Sequence, residues 1–211
     1  ELLGHKLLQW HLDRQWKSIR KLAKDLGIFL FGDVPFYVSK DSADVWSNRS
    51  LFSILTNSNT FLQSGVPPDY FSETGQLWGN PVYRWSRHKA DKYRWWRRRI
   101  LRHLEQVDFL RLDHFRAFEA FWAIPGKEKT AENGFWKPSP GKEILGLIKK
   151  DCGGSLPLVA EDLGVITSKV EKLRDDYDLA GMKILQFAFD GNLDNPYLPE
   201  NIKDENWIVY T

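Results

Sequence analysis

The stretch Val107-Asp-Phe-Leu-Arg-Leu-Asp113 decides the fold. It is short and mostly apolar, it closes on the ionisable pair Arg111 and Asp113, and it reads as a buried strand. A helical period leads into it. Across residues 88–106, Tyr93, Trp96, Ile100, Leu101 and Leu104 fall on one side of a helix. A helix that feeds a buried strand is half of a β/α repeat, and the unit recurs on both sides. Upstream, Leu8, Leu12, Trp16, Ile19, Ala23 and Leu26 step by three or four through residues 5–26. Gly27 follows as a C-cap, and then come the apolar run Ile28-Phe-Leu-Phe31 and Gly32-Asp33. Downstream, a helix over 142–151 precedes the strand Leu156–Glu161. A short helix over 167–176, with Thr167 at its N-cap and Glu171 in its first turns, precedes the strand Gly181–Phe187. A last strand runs from Trp207 to Thr211. Five strands separated mostly by helices predict an α/β fold, a parallel sheet with helices outside it. On periodicity alone a barrel and an open sheet both fit.

Two stretches break the alternation. Residues 34–85 hold no sustained period and are rich in Pro, Gly, Ser, Asn and aromatics, so they read as a long functional loop or a small inserted subdomain. Residues 126–141 are turn-rich. The opening Glu-Leu-Leu-Gly and the strand-like end at Thr211 read as the edges of a piece of something longer.

Bulk properties exclude several classes. The 211 residues are 42% hydrophobic and 27% charged, with a net charge of +2. That is enough apolar material for a core and too little field to call for nucleic acid or an anionic membrane. No run of about 18 apolar residues spans a bilayer. The single cysteine, Cys152, points to a reducing compartment. Aromatics reach 14%, with ten Trp, thirteen Phe and seven Tyr. Such rings either fill a core or stack on the apolar C–H faces of sugars. The basic-aromatic run Arg94–Arg102 is more simply the solvated face of an amphipathic helix than a nucleic-acid patch. The five histidines form no metal-ligand spacing, and neither a G-x-S-x-G elbow nor a phosphate loop occurs.

Chemistry gathers at the strand ends. The first strand ends in Asp33, the second in Arg111, Asp113 and His114, the third in Glu161 and Asp162, and the fourth is followed by Asp190. Acidic groups in phase at the C-terminal ends of successive parallel strands share one face. Two carboxylates on neighbouring strands suit glycosidic chemistry, one attacking the anomeric carbon and the other protonating the leaving oxygen. Arg111 lies two residues before Asp113, so both side chains leave the strand on one face, and an arginine there favours a charged carboxylate. Glu161 follows the apolar Leu158-Val-Ala160, which can desolvate it and keep it an acid.

Longer motifs add a resemblance. They are Gly32-Asp-Val-Pro-Phe-Tyr-Val-Ser-Lys-Asp-Ser-Ala-Asp-Val-Trp46, Gly65-Val-Pro-Pro-Asp-Tyr-Phe-Ser-Glu-Thr-Gly-Gln-Leu-Trp-Gly-Asn-Pro-Val-Tyr83, Arg111-Leu-Asp-His-Phe-Arg116, Ala160-Glu-Asp-Leu-Gly164 and Met182-Lys-Ile-Leu-Gln-Phe-Ala-Phe189. In this order, over essentially the whole chain, the sequence resembles glycoside hydrolase family 77, the 4-α-glucanotransferases. The resemblance implies a partial (β/α)8 barrel with residues 1–211 inside the catalytic barrel and 34–85 as inserted loops or a subdomain after the first strand. It implies retaining transfer of a 1,4-α-glucan segment to the 4-OH of another glucan or of glucose. Asp113 then matches the nucleophile, Glu161 the acid/base, and Arg111 the group that orients and ionises Asp113. His114, Asp33 and Asp190 match contacts to the sugar on the donor side of the cleaved bond. Asp69 and Tyr70 lie on the acceptor-side loop, and Trp78 offers a stacking face. Expected partners are maltodextrins, starch- or glycogen-derived glucans and glucose, with no nucleic acid, membrane, metal or cofactor. The expected compartment is the cytoplasm, or the plastid of a plant or alga. The family's third carboxylate falls after the next strand, beyond Thr211, so the 211 residues alone are expected to be inactive. A hydrolase of the α-amylase type and a noncatalytic glucan-binding barrel are the alternatives.

Overall fold

A computed structural model describes residues 1–55, 57, 59–70, 72–202 and 206–211. The architecture is mixed α/β. Three parallel strands form its spine: β1 (Phe31–Pro35), β4 (Phe109–Asp113) and β7 (Leu158–Ala160), in the order β1-β4-β7. Asp33 pairs with Arg111, Pro35 with Asp113, and Leu112 with Ala160. The ladder runs one step further. Glu161 N donates to Leu112 O at 3.1 Å, and Phe115 N donates to Glu161 O at 3.0 Å. That step sets Glu161 beside Asp113. A parallel bridge from Val159 to Ala180 carries the pairing toward β8 (Gly181–Ile184), which lies parallel to β9 (Trp207–Tyr210).

Helices precede the strands, as the periodicity predicts. They are α1 (Leu2–Asp25), α4 (Arg94–Leu104), α5 (Gly141–Asp151) and α6 (Ser168–Asp175). α4 packs on β1, β4 and α5. α1 reaches the spine through Trp16, whose Nε1 donates to Gln106 O, and through Arg20, which donates to Leu104 O and Val107 O. Leu2, Leu3, Leu7, Leu8 and Leu12 on its first half stay exposed.

Several boundaries differ from the reading, each for a tertiary reason. The first strand begins at Phe31 instead of Ile28, because Leu30 is held end-on by Asp108: its N–H donates to Asp108 Oδ2 at 2.8 Å and its carbonyl accepts from Asp108 N and Phe109 N. The helix expected over 88–106 is two, α3 (Trp85–Ala90) and α4. Lys92 and Tyr93 between them take left-handed φ values of 57° and 55°. This break buries the Tyr93 ring and lets its hydroxyl donate to Glu143 at 2.9 Å, while Asp91 Oδ1 caps Arg94 N. Thr167 stands at the N-cap of α6 with no side-chain cap bond, its carbonyl taking Val170 N and Glu171 N. Past Ile184 the fourth expected strand tightens into a 3-10 turn, Leu185–Ala188.

The aperiodic stretches supply three of the four strands of a second sheet. β2 (Leu62–Val66) and β3 (Gln76–Pro81) join β5 (Ala120–Pro125) and β6 (Phe135–Pro138) in the antiparallel order β3-β2-β5-β6. A short helix, α2 (Ala43–Ser47), capped by the Ser42 hydroxyl, lies ahead of them. Gly65 of β2 permits this packing, since a Cβ there would run into the Gln76 carbonyl and the Ile124 side chain. Phe71, inside the Gly65–Tyr83 motif, lies outside the described residues.

Part of the aromatic surplus goes into one core, and many of the other rings stay exposed. Phe36, Phe52, Tyr83, Tyr93, Trp96, Phe118 and Phe121 are almost completely buried, and Phe36 meets Tyr83 and Phe118 edge to face, as Trp96 meets Phe118. The basic run of α4 is largely a solvated face, with Arg94, Arg98 and Arg102 exposed; Arg97 pairs with Asp151, Arg102 with Asp13 and Glu105, and Arg99 lies over the Trp95 and Trp96 rings.

Asp162 is the polar anchor of this arrangement. Its side chain is 4% exposed, its Oδ1 accepts from Met182 N at 2.9 Å, and its Oδ2 accepts from Arg174 at 2.6 Å. Breaking a buried pair strands the remaining charge. Arg174 keeps Asp175, so Asp162→Ala is expected to cost about 3 kcal/mol, the low end of the range for such breaks. Asp162→Asn, which can still accept from Met182 N, should lose less. Denaturant melts of the two variants check the order, and equal losses would show that the backbone contact carries nothing.

Candidate active site

Arg111 organises the site. One guanidinium nitrogen donates to Asp33 Oδ1 and the other to Asp113 Oδ1, both at 2.7 Å. The cause is register plus alternation: Asp33 faces Arg111 across the β1–β4 pair, and Asp113 lies two residues further along the same strand. Charge-assisted bonds from a planar fork fix both carboxylates in direction. Asp113 remains open to solvent, its side chain 39% exposed.

Glu161 meets a different environment. Its Oε2 accepts from His114 N at 2.8 Å and its Oε1 from Leu163 N at 3.3 Å. Burial pushes its carboxyl above the ordinary range; the backbone bonds and Arg111 pull the other way, and the Asp113 charge adds to the rise. One carboxylate is thus bonded to arginine and partly exposed, and its neighbour is half-buried with its carboxyl raised. Such divergence separates a nucleophile from an acid.

His114 makes the turn that allows this. Its φ of 54° is left-handed and points its N–H at Glu161. Its ring lies 4.9 Å from Trp78, edge-on, and 6.2 Å from Tyr37. Burial, then the Arg116 charge, holds its pKa down to about 4, so the ring is neutral near pH 7. Among the described residues its Nε2 has no hydrogen-bond partner, and neither has the buried Tyr37 hydroxyl. Two unused polar atoms beside an arginine-bound carboxylate pair suit a ligand rich in hydroxyls. Trp78, 38% exposed, forms the outer wall.

The structure therefore gathers Asp33, Arg111, Asp113, His114, Glu161 and Trp78. Asp69 and Tyr70 sit on the loop between β2 and β3, the strand that carries Trp78. Asp69 Oδ1 caps Ser72 N at 2.9 Å, and Tyr70 is 96% exposed. Asp190 is not drawn into the cluster. Its carboxylate folds onto its own loop and accepts from Asn192 N at 2.9 Å. Sequence reasoning passed over Tyr37 and Arg116, although both stand inside quoted motifs. It named Asp162 without a role, and the alternation that sends Glu161 to one side sends Asp162 to the other. No group of three or more His, Cys, Asp or Glu side chains among the described residues could hold a metal ion. No helix there is long and apolar enough to cross a membrane.

Comparison with known proteins places the chain in a family. The family model for 4-alpha-glucanotransferases, glycoside hydrolase family 77, matches residues 1–211. The chain belongs to that family. A 4-alpha-glucanotransferase of Synechocystis is 50% identical over 212 residues, 100% of this chain and 42% of the relative. A chloroplastic/amyloplastic 4-alpha-glucanotransferase of Arabidopsis thaliana is 47% identical, over 96% of this chain and 35% of its own length. The solved amylomaltase of Streptococcus agalactiae, in complex with acarbose, superposes with a TM-score of 0.92 at 40% identity. That match covers 98% of this chain and 42% of the amylomaltase. This member of the family thus spans about two fifths of the length of such relatives.

Proposed function

We propose that residues 1–211 are a central part of a (β/α)8 barrel, with residues 34–85 as its insertion, which moves a segment of 1,4-α-D-glucan onto the 4-OH of another glucan or of glucose. The parallel order β1-β4-β7, extended by β8 and β9, supports the barrel. The contrast between arginine-bound Asp113 and half-buried Glu161, whose carboxyl is raised, carries the mechanism. An Asp113 oxygen attacks the anomeric carbon while the Glu161 carboxyl gives its proton to the departing glycosidic oxygen. This leaves a glycosyl ester on Asp113. The Glu161 carboxylate then takes the proton of an acceptor 4-OH, whose oxygen displaces Asp113, and two inversions retain the α configuration. Arg111 orients Asp113. Asp33 and His114 contact the donor sugar, Asp69 and Tyr70 line the acceptor side, and Trp78 stacks on a sugar face, while Asp190, folded onto its own loop, is left out of the donor contacts. The partners are maltodextrins, starch- or glycogen-derived glucans and glucose, met in the cytoplasm or a plastid.

The test uses the product of the complete open reading frame. Incubated with maltotriose and followed by mass spectrometry, it should give glucose together with maltopentaose and longer chains. Glucose and maltose without longer chains would mean hydrolysis and would overturn the transfer.

A further inference from the structure

Three consecutive residues of the turn after β4 grip the segment that carries Glu161. His114 N donates to the Glu161 carboxylate at 2.8 Å, Phe115 N to the Glu161 carbonyl at 3.0 Å, and the Arg116 guanidinium to the Val165 carbonyl at 3.1 Å. The first two hold Glu161 itself. The third reaches to the far end of the loop. Arg116 is 8% exposed, and its guanidinium lies 3.8 Å from the ring centroid of Trp136 on β6, the edge of the antiparallel sheet. Its Nε has no hydrogen-bond partner among the described residues; one carbonyl bond, one indole face and the charge of Glu119 act on a cation that burial disfavours. An arginine in so poor a polar environment is costly unless it serves the arrangement around it.

We propose that Arg116 is a positioning residue: seated on Trp136, it clamps the Val165 carbonyl and so fixes the Glu161–Val165 loop against the turn that carries Asp113. The inference rests on the assignment of Asp113 and Glu161 above. In this arrangement the separation of the two carboxylates is set by contacts outside the sugar site. Leu163, which donates to Glu161 Oε1, lies within the clamped loop. Releasing Val165 loosens that bond and opens Glu161 to water. Misplacement by about 1 Å costs on the order of 100-fold in rate.

The groups that face Glu161 are known. Arg111 and Asp113 come from β4 and His114 from the turn, and Tyr197, whose hydroxyl responds to Glu161, comes from the segment after β8. Glu119 faces Arg116. With these groups unchanged, water entry at Glu161 moves its carboxyl back toward the ordinary range.

Arg116→Met and Arg116→Lys in the complete open-reading-frame product test this, with Glu161→Gln beside them. Arg116→Met keeps the length of the side chain and loses the donor. It should lower kcat for maltotriose about 10- to 100-fold with KM within about twofold. It should also move the basic limb of the kcat–pH profile to lower pH. Arg116→Lys, which keeps a charge and a donor, should fall between this variant and the wild type. Should Arg116→Met not fold, Arg116→Lys alone decides, by a reduced kcat at unchanged KM and a basic limb displaced in the same direction. Wild-type kcat and pH profile in the folded variants, with Glu161→Gln inactive, would overturn the clamp alone. An active Glu161→Gln would overturn the underlying assignment instead.

Discussion

In the complete open-reading-frame product, Asp113→Asn should abolish the proposed transfer and spare binding. Asn has the shape of Asp and can still accept from Arg111, which keeps its second partner, Asp33. The side chain is 39% exposed, so no core is disturbed. What is lost is a charged oxygen able to form an ester with the anomeric carbon. Removing the group that carries a covalent intermediate costs about 10⁴- to 10⁶-fold in kcat. Calorimetry with maltotriose should give a dissociation constant within a few-fold of the wild type. Turnover above about 1% of wild type would remove Asp113 from the nucleophile's place.

Glu161→Gln should cost about 10²- to 10⁴-fold in kcat with maltotriose, the usual worth of a positioned general acid. The leaving group gives a sharper test. An α-glucosyl fluoride donor loses fluoride with little need of a proton, so the first step should recover with that donor and not with maltotriose. Equal losses on both donors would mean that Glu161 does something other than donate a proton.

The same substitution tests the electrostatics. Burial raises the Glu161 carboxyl in the folded protein, so the native state binds its proton to higher pH than the unfolded chain does. Stability therefore falls as pH rises from the ordinary carboxylate range through the raised value. Gln never ionises and escapes this loss. The Gln amide nitrogen cannot accept from one of the two backbone N–H groups, a loss that does not vary with pH, so the test is the pH dependence. The melting difference between Glu161→Gln and wild type should move in favour of Gln from below the ordinary carboxylate range up to pH 7. A difference that stays constant with pH would show that burial does not disfavour the Glu161 charge.

Much of the site was legible because it obeys local rules. Strand ends mark where chemistry gathers in α/β folds, and a two-residue step puts Arg111 and Asp113 on one face. The desolvation of Glu161 follows from its apolar strand, Leu158–Ala160, which is buried throughout. The inserted sheet was illegible for an equally physical reason. β2 pairs with β5, far along the chain, and its Leu-Gln-Ser-Gly-Val sequence has neither clean alternation nor strong β propensity. Packing partners outside the segment make it a strand. The break in the 85–104 helix was hidden too, because Lys92 and Tyr93 carry no breaker signal and the Tyr93–Glu143 contact is nonlocal.

By itself, the sequence determined the order of the strands of the parallel spine and of the helices that precede them, the residue types at each strand end, and the motifs that mark the family. These depend on neighbours within a few residues, where 3.6- and two-residue periods apply. Only the tertiary structure decided which strands lie side by side, and so that Asp33 meets Arg111 and Glu161 stands beside Asp113. It also decided that the His114 backbone, and not a side chain, greets Glu161, and that Asp190 turns to its own loop. Register between distant strands is fixed by the burial of whole faces and by closed hydrogen-bond ladders. No window of neighbouring residues contains that information.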